Sequence, residues 1–211
     1  MHLLAATPGG VSDGSEAVDL GQNAGDIVVL SAADSELSGL ADAYAEMDAS
    51  APSLRLANLL NLGHNMSVDL YVESVMSGAK LVIVRLLGGR GYWPYGVEQV
   101  AAECFRKGTP LALLPGDDQP DAELVTLSTL ESAACHRLWQ YCVHGGPANA
   151  RQFLHYAASL LDQNSDWLEP QPLLRAGLYM AGGDSVDLDD IRTSWVADQP
   201  TAALVFYRAL V

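Results

Sequence analysis

Short apolar runs of strand length alternate with amphipathic stretches of helix length through the first half of the chain, and this alternation restricts the fold more than any other feature. Asp26-Ile27-Val28-Val29-Leu30-Ser31, Lys80-Leu81-Val82-Ile83-Val84-Arg85 and Pro110-Leu111-Ala112-Leu113-Leu114 are continuously apolar in their interiors, the pattern of strands covered on both faces. Leu54 to Ala57 and Leu3 to Ala6 are further, weaker strand candidates. Between the runs, Asp34 is placed to cap a helix reaching about Met47, and Ser67 to cap one over Val68 to Met76 that Gly78 ends. Val97 to Arg106 reads as a third helix, stopped by Gly108. The order predicts an α/β fold: a doubly wound, mostly parallel sheet with helices on both faces.

Residues 1–120 are thus expected to form a flavodoxin-like head domain. From Asp121 to about Leu161 the pattern becomes helical, with Leu138, Cys142, Phe153, Tyr156, Ala157 and Leu160 apolar and a break at Gly145-Gly146-Pro147, where proline can open a helix. This predicts a helical hairpin over 121–165, an extension of the same domain. Pro170, Pro172, Gly182, Gly183 and the aspartates around Asp184 to Asp190 give residues 166–200 the composition of a linker. Ala202-Ala203-Leu204-Val205-Phe206-Tyr207 reads as a buried strand, so 201–211 is expected to be the truncated start of a second α/β domain.

A chain of 211 residues buries roughly 70% of its unfolded surface, enough for one sizeable core. With 49% hydrophobic and only 18% charged residues, disorder is excluded. The formal net charge of -15 repels phosphate backbones and anionic lipid, which argues against nucleic acid and membranes as partners. Cys104, Cys135 and Cys142 show no CxxC spacing and suit a reducing compartment. The first residues lack a basic region and a long apolar run, and no stretch has the length of a membrane span, so a cytoplasmic protein is expected.

Chemistry concentrates in Leu86-Leu87-Gly88-Gly89-Arg90-Gly91-Tyr92-Trp93-Pro94-Tyr95-Gly96, between a strand and a helix, with four glycines, one proline and three aromatics in eleven residues. Ligands of open parallel sheets sit beyond the carboxyl ends of the strands, where this loop, Ser31 to Asp34 and Pro115-Gly116-Asp117-Asp118 should meet. The candidates for binding a substrate or a neighbouring domain are Arg85, Gly88, Gly89, Arg90, Tyr92, Trp93, Tyr95, Asp117 and Asp118. Gly89-Arg90-Gly91 supplies only half of a dinucleotide fingerprint, and Asp34 and Glu36 would repel a phosphate held after the first secure strand. His64, Asp117, Asp118, His136, Cys142 and His144 could each ligate a metal, but their spacings do not guarantee that they converge, and the metal set stays unknown. No Gly-x-Ser-x-Gly elbow or other nucleophile signature is present, and no catalytic residue is assigned.

Val84 to Glu98 resembles the amino-terminal region of the cobaltochelatase large-subunit (CobN) family, which is similar to the magnesium-chelatase H family. The resemblance extends to Met1 to Gly10, Asp26 to Ser35, Leu54 to Leu59, Leu113 to Asp118, Gly145 to Asn149 and Arg175 to Tyr179. It implies ATP-dependent insertion of Co(II), as substrate, into the corrin ring of hydrogenobyrinic acid a,c-diamide during aerobic cobalamin synthesis. The partners implied are the remainder of the large subunit and two smaller subunits, one an AAA+ ATPase that carries Mg-ATP; this stretch itself is expected to bind no cofactor. Members of the family are several times longer, so the chain is expected to be an amino-terminal head, inactive alone. The alternatives are a non-catalytic scaffold or interaction domain and a porphyrin-binding piece of the magnesium-chelatase H type. Within the loop, Tyr92, Trp93 and Tyr95 either contact the macrocycle, with Arg85 or Arg90 on its carboxylates, or fix the packing between head and neighbouring domain.

Overall fold

A strand of a parallel sheet is buried when both of its faces find apolar cover, and the three continuous runs do. The computed structural model describes residues 16–161, 165–172, 177–178, 187–193, 195–196, 199–200, 202 and 204–205. In it, β1 (Ile27–Ser31), β2 (Leu54–Asn58), β3 (Leu81–Leu86) and β4 (Leu111–Pro115) make one sheet in the order β2-β1-β3-β4, parallel throughout. Val29 lies level with Leu56 on one side and Ile83 on the other, and Ile83 is level with Ala112.

Successive residues of each strand face opposite layers. Val28, Leu30, Val82, Val84, Leu111 and Leu113 pack against α2 (Asn65–Ser74), α3 (Pro94–Lys107) and α4 (Ala122–Leu127), which contribute Val68, Tyr71, Val97, Val100, Cys104 and Leu124. Ile27, Val29, Leu81, Ile83, Ala112 and Leu114 pack against α1 (Asp34–Ala45), α5 (Ser132–His144) and α6 (Gly146–Ser159). The doubly wound architecture follows. The α5–α6 hairpin supplies most of the cover on its face, through Cys135, Leu138, Trp139, Phe153, Leu154 and Ala157. Without it, that face of β3 and β4 would meet water.

The edge and the ends of the sheet are closed by polar side chains. Along the outer side of β4, the Thr129 hydroxyl accepts from Leu111 N–H at 2.9 Å, the Ser128 hydroxyl accepts from Leu113 N–H at 2.9 Å, and the amides of Thr129 and Leu130 return to the Leu111 carbonyl. At the amino ends, Asp26 joins three strands: its carboxylate accepts from the Ser53 amide and hydroxyl at 2.8 and 2.6 Å before β2, and meets Lys80 Nζ at 2.8 Å before β3. The Lys80 ammonium, followed by Ser53, holds the Asp26 carboxyl down to about 2.

Three helix starts differ from expectation. Asp34 is the first residue of α1 and does not cap it; its carboxylate instead accepts from the Asn58 amide at the end of β2. The cap of α2 is His64, whose Nδ1 accepts from Met66 N–H at 3.1 Å, while the Ser67 hydroxyl is turned to Val18 N–H at 2.7 Å. Pro94 opens α3 three residues before the expected Val97, and Gly108 ends it at φ +69°, in the left-handed region.

The chain divides into two units, Met1–Gln171 and Pro172–Val211. The second contains α7 (Leu188–Thr193), in which Arg192 pairs with Asp189 at 3.2 Å. The strand candidate Leu3 to Ala6 and most of 201–211 lie outside the described residues; Leu204 and Val205, which are described, are exposed and not in a strand.

Candidate functional site

The sheet reverses its winding between β1 and β3, so the loops leaving those strands part there and open a crevice. Arg85, near the end of β3, fills it. Its guanidinium pairs with Glu36 in the first turn of α1, and donates from Nε to the Pro115 carbonyl at 3.2 Å and from an Nη to the Gly116 carbonyl at 3.0 Å. Both side chains of the pair are 14% exposed. The second Glu36 oxygen accepts from the Ser31 hydroxyl at 2.6 Å, which in turn accepts from Ala33 N–H at 3.2 Å. A cavity of about 80 Å³, lined by Ser31, Glu36, Arg85, Leu87 and Gly116, is what is left of the crevice.

Cys142 of α5 adjoins this pair. Burial, then the Glu36 carboxylate, pushes its thiol far above the ordinary value, so it is a neutral packing group and no thiolate. Burial also works against the charge on Arg85, but the anionic group beside it, which is Glu36 while Cys142 is neutral, outweighs it and raises the guanidinium's hold on its proton. Every polar contact of Arg85 is thus internal to the fold. Its small exposed part borders the cavity of about 80 Å³.

The loop aromatics separate into different roles. Trp93 is 7% exposed; its indole N–H donates to the Leu62 carbonyl at 2.9 Å, and its ring belongs to the core on the α2–α3 side. The ring lies against Gly96, where an added Cβ would stand 1.9 Å from it. Tyr95 donates to Asp69 of α2 at 2.7 Å. Tyr92 remains exposed. Arg90 bridges outward to Glu98 at 3.3 Å and Glu123 at 3.4 Å, tying the loop to α3 and α4.

Gly88 and Gly89 have φ of +87° and +70°, which turn the chain from β3 into the loop, and a Cβ on Gly89 would meet an Asp121 oxygen at 2.8 Å. They face an open cleft of about 420 Å³ with Pro115, Asp117, Asp121 and Glu123 on its walls. Its carboxylates serve the local fold: Asp117 accepts from Gln119 N–H and Asp121 caps α4 through Glu123 and Leu124 N–H, while Asp118, beside the cleft, accepts from the Gln119 amide.

The metal candidates stay apart. His64 caps α2, His136 stands edge-on to Trp139 at 5.6 Å between centroids, Cys142 is against Arg85, and His144 ends α5. Among the described residues no three His, Cys, Asp or Glu side chains gather as metal ligands, and no helix is long and apolar enough to cross a membrane. Sequence reasoning singled out Arg85 but not its partner Glu36, and named Gly116 without its role. A Cβ there would meet the Leu87 backbone at 2.5 Å, so Gly116 is what lets the turns after β3 and β4 touch. The available signal was Arg85 itself, because an arginine at the end of an apolar strand requires a carboxylate within reach.

No family model matches the chain. It is 43% identical, over its whole length, to the aerobic cobaltochelatase subunit CobN of a Sinorhizobium species, and 43% identical over 99% of its length to the subunit of the same name from Pseudomonas aeruginosa. The chain spans 17% of the length of each of these relatives. Among solved structures, the catalytic subunit of cobaltochelatase from Mycobacterium tuberculosis superposes on 75% of the chain with a TM-score of 0.59 at 24% identity, and 12% of that protein is covered; this likeness speaks for the fold.

Proposed function

From a sequence that is CobN-type along its whole length, we propose that the chain acts as the amino-terminal head of a cobaltochelatase large subunit, a non-catalytic part of an enzyme that inserts Co(II) into a corrin ring. The single observation that carries this reading is the 43% identity, over 100% and 99% of the chain, to two CobN subunits. In the proposed complex, ATP is hydrolysed on a smaller AAA+ partner subunit with its Mg²⁺, the corrin is hydrogenobyrinic acid a,c-diamide, and the assembly works in the cytoplasm. Metal insertion has to remove pyrrole protons and strip water from the cation, and both need bases and ligands converging on a dry cavity. That machinery is assigned to the remainder of the large subunit.

A supporting role is favoured by the state of the switch-point crevice, which Arg85 and Glu36 fill from within. The proposed working surface is the outward side of the loop edge, with Tyr92, Arg90, Asp117 and Asp118 facing the neighbouring part of the subunit, and with Arg85, Gly88, Gly89, Trp93 and Tyr95 holding that edge in shape.

Two measurements test the reading. Titration of the chain with hydrogenobyrinic acid a,c-diamide, followed by tryptophan fluorescence, is expected to give no saturable change; saturable binding abolished by Tyr92→Ala would replace the packing role with ring recognition. Adding the chain to a CobN subunit that lacks the matching sixth of its sequence, together with the ATPase partners, is expected to restore Co(II) insertion, whereas activity that is indifferent to the added chain would refute the assignment.

A further inference from the structure

Ser165 to Gln171, with Pro170 near its end and Pro172 just beyond it, has the composition of a linker, yet it is docked along α5 and α6. Trp167 stands edge-on to Tyr156 at 4.8 Å between centroids, and the Arg137 guanidinium covers both rings, 4.7 Å from Trp167 and 5.1 Å from Tyr156. The same guanidinium holds Glu169 with two parallel bonds, Nε to one oxygen at 2.9 Å and an Nη to the other at 3.0 Å. The backbone is read as well. Gln152 accepts from Leu168 N–H at 2.7 Å, Tyr141 donates to the Leu168 carbonyl, and Asn149 both donates to the Gln171 carbonyl and accepts from its N–H at 2.9 Å. Ser165 meets His155 Nδ1 at 3.0 Å.

The two sides of this contact differ in burial. Asn149, Tyr141 and Tyr156 are 2%, 1% and 5% exposed, parts of the folded helix pair, whereas no residue of the docked segment is buried and Leu168 and Glu169 stand open to water. Attachment therefore rests on the half-buried ring of Trp167 at the margin of the α5–α6 core, on the arginine stacked over it and on a row of hydrogen bonds, with the rest of the segment at the surface. Contacts of that kind open locally, without global unfolding.

We propose that residues 165–171 form a separable latch: a peptide seated on α5–α6 through Arg137 and Asn149 that opens while the sheet and its helices stay folded, and that sets where the chain leaves the first unit. Closed, the latch delivers the chain at Gln171, where the first unit ends. Open, it frees seven residues of tether, which extend the reach by up to about 23 Å at roughly 3.3 Å per residue.

Hydrogen exchange of the intact chain reads the latch directly, because the amides of Leu168 and Gln171 are bonded only through it. Arg137→Ala is expected to accelerate exchange at those two amides by about tenfold or more, the effect of removing a charge-assisted pair, and to leave the amides of β1 and β3 unchanged. Arg137→Lys, which keeps the charge but not the paired bonds, should fall between. Equal acceleration in β1 and β3 would make the segment part of the common core and overturn the proposal, as would unaltered exchange at Leu168 and Gln171. Should Arg137→Ala fail to fold, Glu169→Gln removes the ion pair from the exposed side and carries the same two outcomes.

Discussion

The indole of Trp93 rests on the bare Cα of Gly96, and no other residue type fits beneath it, because a Cβ would lie 1.9 Å from the ring. The loop that looked built for a ligand is built first around this contact. It seats Trp93 against Leu62 and starts α3 directly after it.

Gly96→Ala therefore sets two effects against each other. Alanine in the first turn of a helix is favoured over glycine by up to about 1 kcal/mol, but expelling Trp93 costs overpacking energy and its bond to Leu62, about 3 kcal/mol together. A net loss of about 2 kcal/mol is expected, measurable as a lower midpoint of urea unfolding; a stabilised variant would mean that the ring does not sit there.

Glu36→Gln and Arg85→Met each leave one member of a nearly enclosed pair without its opposite charge, which costs about 3 kcal/mol or more. The double variant removes both charges and is expected to lose clearly less than the two single losses combined, with a coupling of about 2 kcal/mol in a double-mutant cycle. Simple additivity in urea unfolding would show that the two groups do not depend on each other.

Acid should loosen the amino end of the sheet through Asp26. Its carboxyl holds a proton less tightly when folded, at about 2 against an ordinary 3.8, so the stabilisation is complete above that ordinary value and disappears as pH falls from 3.8 through about 2. Since Lys80 is 64% exposed and screened, the contribution is about 1 kcal/mol. Asp26→Asn is expected to be less stable at pH 7 and to lose less than the parent chain between pH 4 and pH 2, as followed by thermal unfolding at each pH.

The thiols should be slow to react. Burial pushes Cys104 up to about 12 and raises Cys135 as well, and burial with Glu36 raises Cys142. At pH 8 an aromatic disulfide reagent is expected to titrate none of them within minutes in the folded chain, and all three in guanidinium. A fast thiol in the native chain would contradict the burial of that site.

Strands β1, β3 and β4 were legible because covering both faces leaves a continuous apolar run, and Ile27 to Leu30, Leu81 to Val84 and Leu111 to Leu114 each show one. Gly108 marks the carboxyl end of α3 by local conformational preference alone, whereas its start was read at Val97 and lies at Pro94. What failed to show was decided across long stretches of chain. The Trp93 bond to Leu62, the Arg85 pair with Glu36 and the Arg137 pair with Glu169 join residues far apart in sequence, and no window of neighbours contains both partners. Ser67 illustrates the same point: its local setting suits a cap, but Val18 takes its hydroxyl and His64 caps the helix instead. At the candidate site, glycine and aromatic content located the edge correctly, while the direction of each side chain depended on the packing behind it.

Ser128 and Thr129 occupy the outward-pointing groups of β4 with hydroxyls and a returning turn. A neighbouring polypeptide finds no ladder there to continue, so this side of the sheet resists the edge-to-edge stacking that turns open β-structure into fibres. Recognition at that flank has to proceed by side chains, one contact at a time, and cannot proceed by lengthening the sheet.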